Sequence, residues 1–380
     1  MLELLFFLAV AVIVYVFIGY PLLARLLSSL RSQPVGKEPI EPLVTILIAA
    51  FNEAGVIGET LKDKLDLDYP KDKLDVIVIS DGSTDGTDEI VMRYADQPVK
   101  LLRQVPRAGK TSALNMAVPL AKGEVLVFSD ANSRYESQSL RRLVRNFADP
   151  KVGYVTGKMI YTNPDGTAIG DGCTAYMRYE NALRKTETRL GSVVGVDGGI
   201  DAVRKEIYQP MRPDQLPDFV LPLKVVEKGY RVVYEPEAVL KENALGATED
   251  EYRMRVRVTL RALWALSDMK HLLSLRQYGL FALQLWSHKL LRYMSFAFLA
   301  AAFVTNLLLW PVHVVYRVFA VVQLAAYSVF LLQLLAERAG VHVFISRFLH
   351  YFLLLNVASA HAFYKFVRGQ KQVTWTPRKG

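Results

Sequence analysis

A single cysteine, Cys173, stands in 380 residues, which excludes an internal disulfide and any cysteine-rich metal centre and leaves a lone buried or spectator thiol. Two phosphate-binding fingerprints are missing as well. Gly109-Lys110-Thr111 looks like the end of a Walker loop, but that loop requires a glycine where this chain has Gln104. No Gly-x-Gly-x-x-Gly occurs, so the dinucleotide signature is absent too. Basic residues form no compact block. The net charge is +9, yet lysines and arginines are spread along the chain and gather beside apolar stretches, which suits an anionic lipid surface and argues against nucleic acid as a partner.

What the chain has in excess is apolar residues, 52% of the total, too many for an ordinary soluble enzyme. The excess is localised. Leu4 to Leu23 is long enough to cross a bilayer, and three more runs follow late in the chain, Met294 to Trp310, Val318 to Leu335 and Val343 to Phe363. A cleaved signal peptide is the rival for the first run, but nothing basic precedes it and no small-residue cleavage site follows. Arg25, Arg31 and Lys37 come next and place the middle of the chain on the cytoplasmic side by the positive-inside rule. The expectation is a multi-pass cell-membrane protein with a cytoplasmic central domain.

Ser32 to Pro42, rich in proline, glycine and charge, reads as a linker. Beyond it, apolar strands alternate with helices: strand 44–50 and helix 53–64, strand 75–80 and a helix to Tyr94, strand 99–103 and a helix from Lys110, strand 124–129 and helix 137–147. This alternation predicts an α/β fold with a Rossmann-like, mostly parallel sheet whose ligand site lies outside the carboxyl ends of the strands. Three polar clusters fall at those ends: Asn52-Glu53, Asp81-Gly82-Ser83 and Asp130-Ala131-Asn132. Asp130 and Asn132 together supply two oxygen ligands for a divalent cation; a plain Asp/Asn turn is the other reading. Lys110 and Asn115 sit on the first turns of a helix after a basic loop, a place that attracts phosphate, or else a solvated basic turn.

Phe51-Asn52-Glu53, Asp81-Gly82-Ser83, Gly109-Lys110 with Ala113-Leu114-Asn115, and Ser129-Asp130-Ala131-Asn132, in this order, resemble the nucleotide-sugar-binding half of family-2 glycosyltransferases with the GT-A fold. The likeness runs from about Val44 to Ala265. It points to the membrane-bound branch that holds cellulose, hyaluronan and poly-N-acetylglucosamine synthases. The resemblance implies that Glu53 and Asp81 contact the base and ribose of the donor, Lys110 and Asn115 its uridine diphosphate end, and Asp130 a Mn or Mg ion on the diphosphate. Gly195-Val196-Asp197-Gly198-Gly199 resembles the acceptor segment, which implies acceptor or diphosphate contacts for Asp197 and Gly198; two ordinary turns would use the same residues. Asp218-Phe219-Val220-Leu221 resembles the family's Glu-Asp motif and implies Asp218 as the catalytic base, its other reading being a helix N-cap.

Three departures stand out. Asn132 replaces the usual second acid and is a weaker, neutral ligand. Pro217 occupies the place of an acid before the base, so any auxiliary carboxylate comes from elsewhere, with Asp214 a candidate. The Gln-x-x-Arg-Trp motif of polymer synthases is missing; the nearest alignment, Met254-Arg255-Val256-Arg257-Val258, carries over only Arg257, as an acceptor or diphosphate contact. Arg253, Arg257 and Arg261 recur every four residues and fit either phosphate binding or snorkelling to lipid headgroups.

The expected division is a transmembrane helix over 1–24, a linker over 25–42, the GT-A domain over 43–250, amphipathic interface helices over 251–292, transmembrane helices over 293–367 and a basic tail over 368–380. Four crossings would leave the tail outside, against its five basic residues, Lys365, Arg368, Lys371, Arg378 and Lys379. Trp375-Thr376-Pro377-Arg378, which resembles a cytoplasmic tail motif of related synthases, sharpens that conflict. The resolution expected is that one late run is re-entrant or lies in the interface. The function these features imply is inverting transfer of a sugar from a nucleotide sugar to a growing polysaccharide or a lipid-linked glycan. The alternatives are a single addition to a polyprenyl-linked acceptor, or a non-catalytic membrane scaffold.

Overall fold

Val44–Ala50 (β1) is buried at every position, as a strand without polar alternation must be when both faces of its sheet are covered. In this computed structural model, which describes residues 1–162, 168–243, 247–339 and 347–374, β1 is followed by Leu74–Ser80 (β2), Val99–Arg103 (β3), Val125–Asp130 (β4), Arg134–Tyr135 (β5), Val152–Thr162 (β6), Ile200–Arg204 (β7) and Arg231–Asn243 (β8). They form one sheet in the order β3-β2-β1-β4-β7-β6-β8-β5. The two faces of β1 feed separate cores. Val44, Ile46, Ile48 and Ala50 pack with Val76, Val78 and Val127, while Leu47 and Ala49 pack with Ile77, Ile79 and Leu114.

The strands β3, β2, β1 and β4 are parallel, as the alternation of elements predicts. Their register aligns Ala50 with Ser80, Ser80 with Arg103 and Ala49 with Asp130, so their polar C-terminal residues gather at one edge. Beyond β4 the sheet turns mixed. β7 runs antiparallel to both β4 and β6, whereas β6 and β8 are parallel. Antiparallel pairing of Ser129 with Ile200 carries the segment just before β7, Asp197-Gly198-Gly199, to the same edge as Asp130. This reversal builds the second half of the site.

Helix boundaries move inward from those the sequence suggests. Glu53 precedes its helix rather than opening it; the helix is Ile57–Leu65, with the Glu53 carbonyl accepting from Val56 and Ile57. The helix after β2 is short, Thr87–Met92, because Gly86, at φ +94°, turns the chain before it. Helix Pro217–Glu227 starts with proline at its first position, where no N–H is needed.

Among the described residues, two helices are long and apolar enough to cross a bilayer, Leu2–Leu30 and Val314–Ala336. Both expose rows of leucine and valine, such as Leu4, Leu8, Leu22 and Leu26 on the first and Val318, Val321, Val322 and Leu332 on the second. The run 294–310 is the 14-residue helix Ser295–Leu308, ~21 Å long and too short for a ~30 Å hydrocarbon layer. It qualifies only together with Leu275–Tyr293, from which it bends by 58°. The run 343–363 lies partly outside the described residues; the rest belongs to helix Arg347–Val367, whose Ala358 and Ala362 pack against Val256 and Leu260 of helix Thr248–Asp268.

The first helix is tied to the central body by a buried polar cluster. Tyr20 donates to Glu187, His288 sits 2.8 Å from Glu187 and 3.1 Å from Glu180, and Arg292 pairs with Glu180. The chain end is tied down too. Trp264 Nε1 donates to the Gln370 carbonyl at 2.8 Å and Lys371 pairs with Asp214 at 2.6 Å. The motif at residues 375–378 lies outside the described residues.

Candidate active site

A pocket of about 320 Å³ opens at the C-terminal edge of the parallel strands, between the sheet and the late helices. Lys110 lines it. Gly109, at φ +92°, ends the basic loop and starts helix Lys110–Ala117, which points the lysine side chain across the strand ends. Its ammonium lies 2.7 Å from Asp130 Oδ1 and 3.7 Å from Asp218 Oδ1. Burial disfavours this charge, but Asp130 first and Asp218 second outweigh it and hold the lysine above its usual range. Asp130 and Asp218, 88 positions apart in the chain, therefore share one cation.

The segment that carries Asp218 is fixed from two sides. The Gln215 carbonyl accepts from Thr111 Oγ1 at 2.8 Å and from the Arg261 guanidinium, locking the start of helix Pro217–Glu227 to the helix of Lys110. Burial lowers the Arg261 pKa to about 10. Gly198 then packs directly against the carboxylate: a Cβ there would stand 2.5 Å from Asp218 Oδ2, and its φ of +84° favours glycine in any case. Its N–H donates to Asp201 Oδ2 at 2.9 Å, and that atom also accepts from Tyr154 at 2.8 Å. Asp201 is fully buried, and burial, aided by Asp218, pushes its pKa up to about 7.

Glu53, Asn132, Asp197 and Arg257 also line the pocket. Burial first, then the Asp130 and Asp85 charges, raises the Glu53 carboxyl to about 7. Asp197 is paired with Arg184 at 2.6 Å and accepts from the Met159 N–H at 3.3 Å, so its carboxylate holds the acceptor-side turn in place.

Two residues expected at the donor do not reach this pocket. Asp81 is fully buried beneath the loop before Lys110, where it accepts from the Ala108 N–H at 2.8 Å, from Gly109 and from the Gln104 amide. Those donors exhaust the carboxylate, which shapes the loop that delivers Lys110. Asn115 spends its amide on the Met211 carbonyl at 2.6 Å, the Met211 N–H at 3.1 Å and Tyr208 at 2.8 Å. Asp214 does not line the pocket either: its partners are Arg212 and Lys371.

The arginine stripe faces protein rather than lipid at two of its three positions. Arg257 lines the pocket and Arg261 is buried, whereas exposed Arg253 pairs with Glu249 at 3.0 Å. Sequence reasoning missed Arg184, Asp201 and the pocket roles of Lys289 and Arg292. The spacing of Glu180, Arg184 and Glu187 on one face of helix Ala168–Leu190 was the available signal.

A divalent ion fits the donor set at Asp130 and Asn132 in part. Both line the pocket, but no group of three His, Cys, Asp or Glu able to hold a metal occurs among the described residues. Two oxygens suit a hard cation that takes its other ligands from a diphosphate and water.

Residues 45–210 match the family model described as Glycosyl transferase family 2. The chain is 33% identical over 169 residues to the beta-monoglucosyldiacylglycerol synthase of Nostoc sp. (strain PCC 7120), covering 43% of this chain and 36% of that protein. It is 27% identical over 202 residues to the poly-beta-1,6-N-acetyl-D-glucosamine synthase of Staphylococcus aureus (strain MSSA476), covering 52% and 48%. The chain thus spans about half the length, or less, of these curated relatives. Among solved structures, the mannosyltransferase PcManGT from Pyrobaculum calidifontis, in complex with GDP-Man and Mn2+, superposes with a TM-score of 0.75 at 24% identity over 97% of this chain and 100% of that one. At that identity the likeness is one of fold.

Proposed function

We propose that this chain, whose residues 45–210 match glycosyl transferase family 2 and which has the GT-A fold, is a member of that family and moves a sugar, with inversion, from a nucleotide sugar to a glycan or lipid-linked acceptor. A uridine diphosphate sugar is the donor we assign, and the cytoplasmic membrane face the place. The observation that carries the reading is the shared contact of Asp130 and Asp218 with the Lys110 ammonium.

In this reading the donor diphosphate lies beside Asp130, within reach of Lys110, whose positive charge stabilises the negative charge growing on the leaving group. Asp218 accepts the proton of an acceptor hydroxyl as that oxygen attacks the anomeric carbon. The bond from that carbon to the diphosphate breaks, and the nucleoside diphosphate leaves. Glu53 lines the donor side, and Asp197 and Gly198 shape the acceptor side. Asp81 and Asn115 act on the donor through the loop and helix they hold. A Mn or Mg ion held by Asp130 and Asn132 would neutralise diphosphate charge.

Single addition is favoured over polymer growth by Val258, which lines the pocket at the place where the aligned Gln-x-x-Arg-Trp motif of polymer synthases has its tryptophan. The test is to purify the chain in detergent with Mn2+ or Mg2+, screen nucleotide sugars for release of nucleoside diphosphate, and size the product. Release from one donor, abolished by a chelator, is expected, with one sugar added per acceptor. A ladder of products would move the assignment to polymer synthesis, and no release from any donor would end the enzymatic reading.

The division proposed is an anchor over 1–24, a linker over 25–42, a catalytic domain over 43–250, packed helices over 251–292, membrane helices over 293–367 and the tail from 368. The contacts of Gln370 and Lys371 with the central body support a tail on the catalytic side. An even number of crossings then separates the two, with Arg347–Val367, the last part of that 293–367 block, lying along the central body instead of crossing. A cysteine label placed after residue 374 should react only from the cytoplasmic side in oriented vesicles; labelling from outside would refute this topology.

A further inference from the structure

The pocket continues past Asp218 toward the membrane helices, and its character changes on the way. Phe17 of the first helix, Phe352 and Leu355 of helix Arg347–Val367, and Tyr176 and Tyr293 supply aromatic and apolar walls there, with Lys289, Glu180 and Arg292 among them. Most cations at this end are already compensated. Arg184 pairs with Asp197 at 2.6 Å, Arg255 with Glu251 at 2.8 Å, and Arg292 with Glu180. Arg257 is also engaged.

Lys289 differs from them. Its side chain makes no hydrogen bond or ion pair among the described residues; its ammonium lies 6.0 Å from the Phe219 ring centre and presses on Gly195, where a Cβ would stand 2.4 Å from it. The nearby acids are committed elsewhere, Glu180 to Arg292 and His288, and Glu187 to Tyr20 and His288. A buried ammonium with no direct ion pair, beside Arg184 and Arg292 and with Glu180 already engaged, costs free energy that an anionic ligand recovers. A compact ammonium suits a phosphate as a point charge.

Resting on the transfer reading above, we propose that this arm binds the phosphate of a lipid-linked acceptor, with Lys289 as its counter-ion and the aromatic walls around the first part of the chain. The position of Lys289 beside Phe219 sets that phosphate next to Asp218, so the accepting sugar hydroxyl, one linkage further, reaches the base. Its proton goes to Asp218, and the new bond joins the acceptor oxygen to the anomeric carbon as the nucleoside diphosphate departs.

The test uses the full chain in detergent with farnesyl phosphate and farnesol as probes, read by titration calorimetry. The phosphate should bind about tenfold or more tighter than the alcohol, the scale of one charge-assisted hydrogen bond. Lys289→Met should bring the two together, and Lys289→Arg should restore most of the difference. Equal binding of both probes by the wild type, which needs no variant, overturns the proposal. So does farnesyl phosphate binding unchanged in Lys289→Met. Phosphatidylglycerol competing as well as farnesyl phosphate, with the same dependence on Lys289, would make this a headgroup site and overturn the acceptor assignment. Failure of the transfer reading is distinguishable: no sugar would move to any acceptor, while the phosphate preference persisted.

Discussion

Asp218→Asn should lower kcat on the order of a hundredfold or more while leaving the donor KM within about threefold, the pattern of a lost general base. The geometry favours that split. Asp218 is the more distant of the two carboxylates on Lys110, at 3.7 Å against 2.7 Å for Asp130, so the amide leaves the Asp130 contact in place. The N-cap alternative is weakened by position: Leu216 occupies the cap, with no side-chain hydrogen bond there, and Asp218 falls on the first turn. Donor hydrolysis and transfer assayed side by side give the measurement. Unchanged turnover would sink the assignment of the base.

Gly198→Ala should cost nearly as much, about tenfold to a hundredfold in kcat, through placement alone. The added methyl would stand 2.5 Å from Asp218 Oδ2 and 2.6 Å from its Cγ, at a φ of +84°. Both the turn and the carboxylate must shift, and a displacement near 1 Å at a reacting group costs on that scale. The expected signature is a fall in kcat with the fold intact by circular dichroism. Wild-type kcat in this variant would show that the contact does not position Asp218.

Three of the four parallel strands were legible because each is a mainly apolar run ending in a polar cluster, as Leu126 to Asp130 is, and β3, with Lys100 inside it, was legible from the alternation of elements. Lys110, Asp130 and Asp218 were legible for a related reason: each follows a strand end or opens a helix, where side chains face a crevice. Asp81 and Asn115 sit at equally suggestive places, yet the structure turns both inward. Nothing local distinguishes a carboxylate that will meet a ligand from one that will collect the N–H groups of Ala108 and Gly109. That choice depends on how the loop folds back over the strand.

The late helices show the same limit. Hydropathy marked Val314–Ala336 and the first helix as spans, since an uninterrupted apolar face is a local property. It did not separate Arg347–Val367, whose alanines close on Val256 and Leu260, from a helix facing lipid, because both faces are written in the same residues.

Local composition by itself determined the helices apolar enough to cross a membrane, the strand-helix order and the residue types that can carry transfer chemistry, since each follows from runs or motifs within a few turns. Only the tertiary structure decided which acids converge. The antiparallel return of β7 beside β4 brings Gly198 to Asp218, and packing of helices far apart in the chain brings Lys289 to the same pocket. Such meetings depend on pairing free energies summed over the whole sheet and bundle, which no single stretch of residues contains.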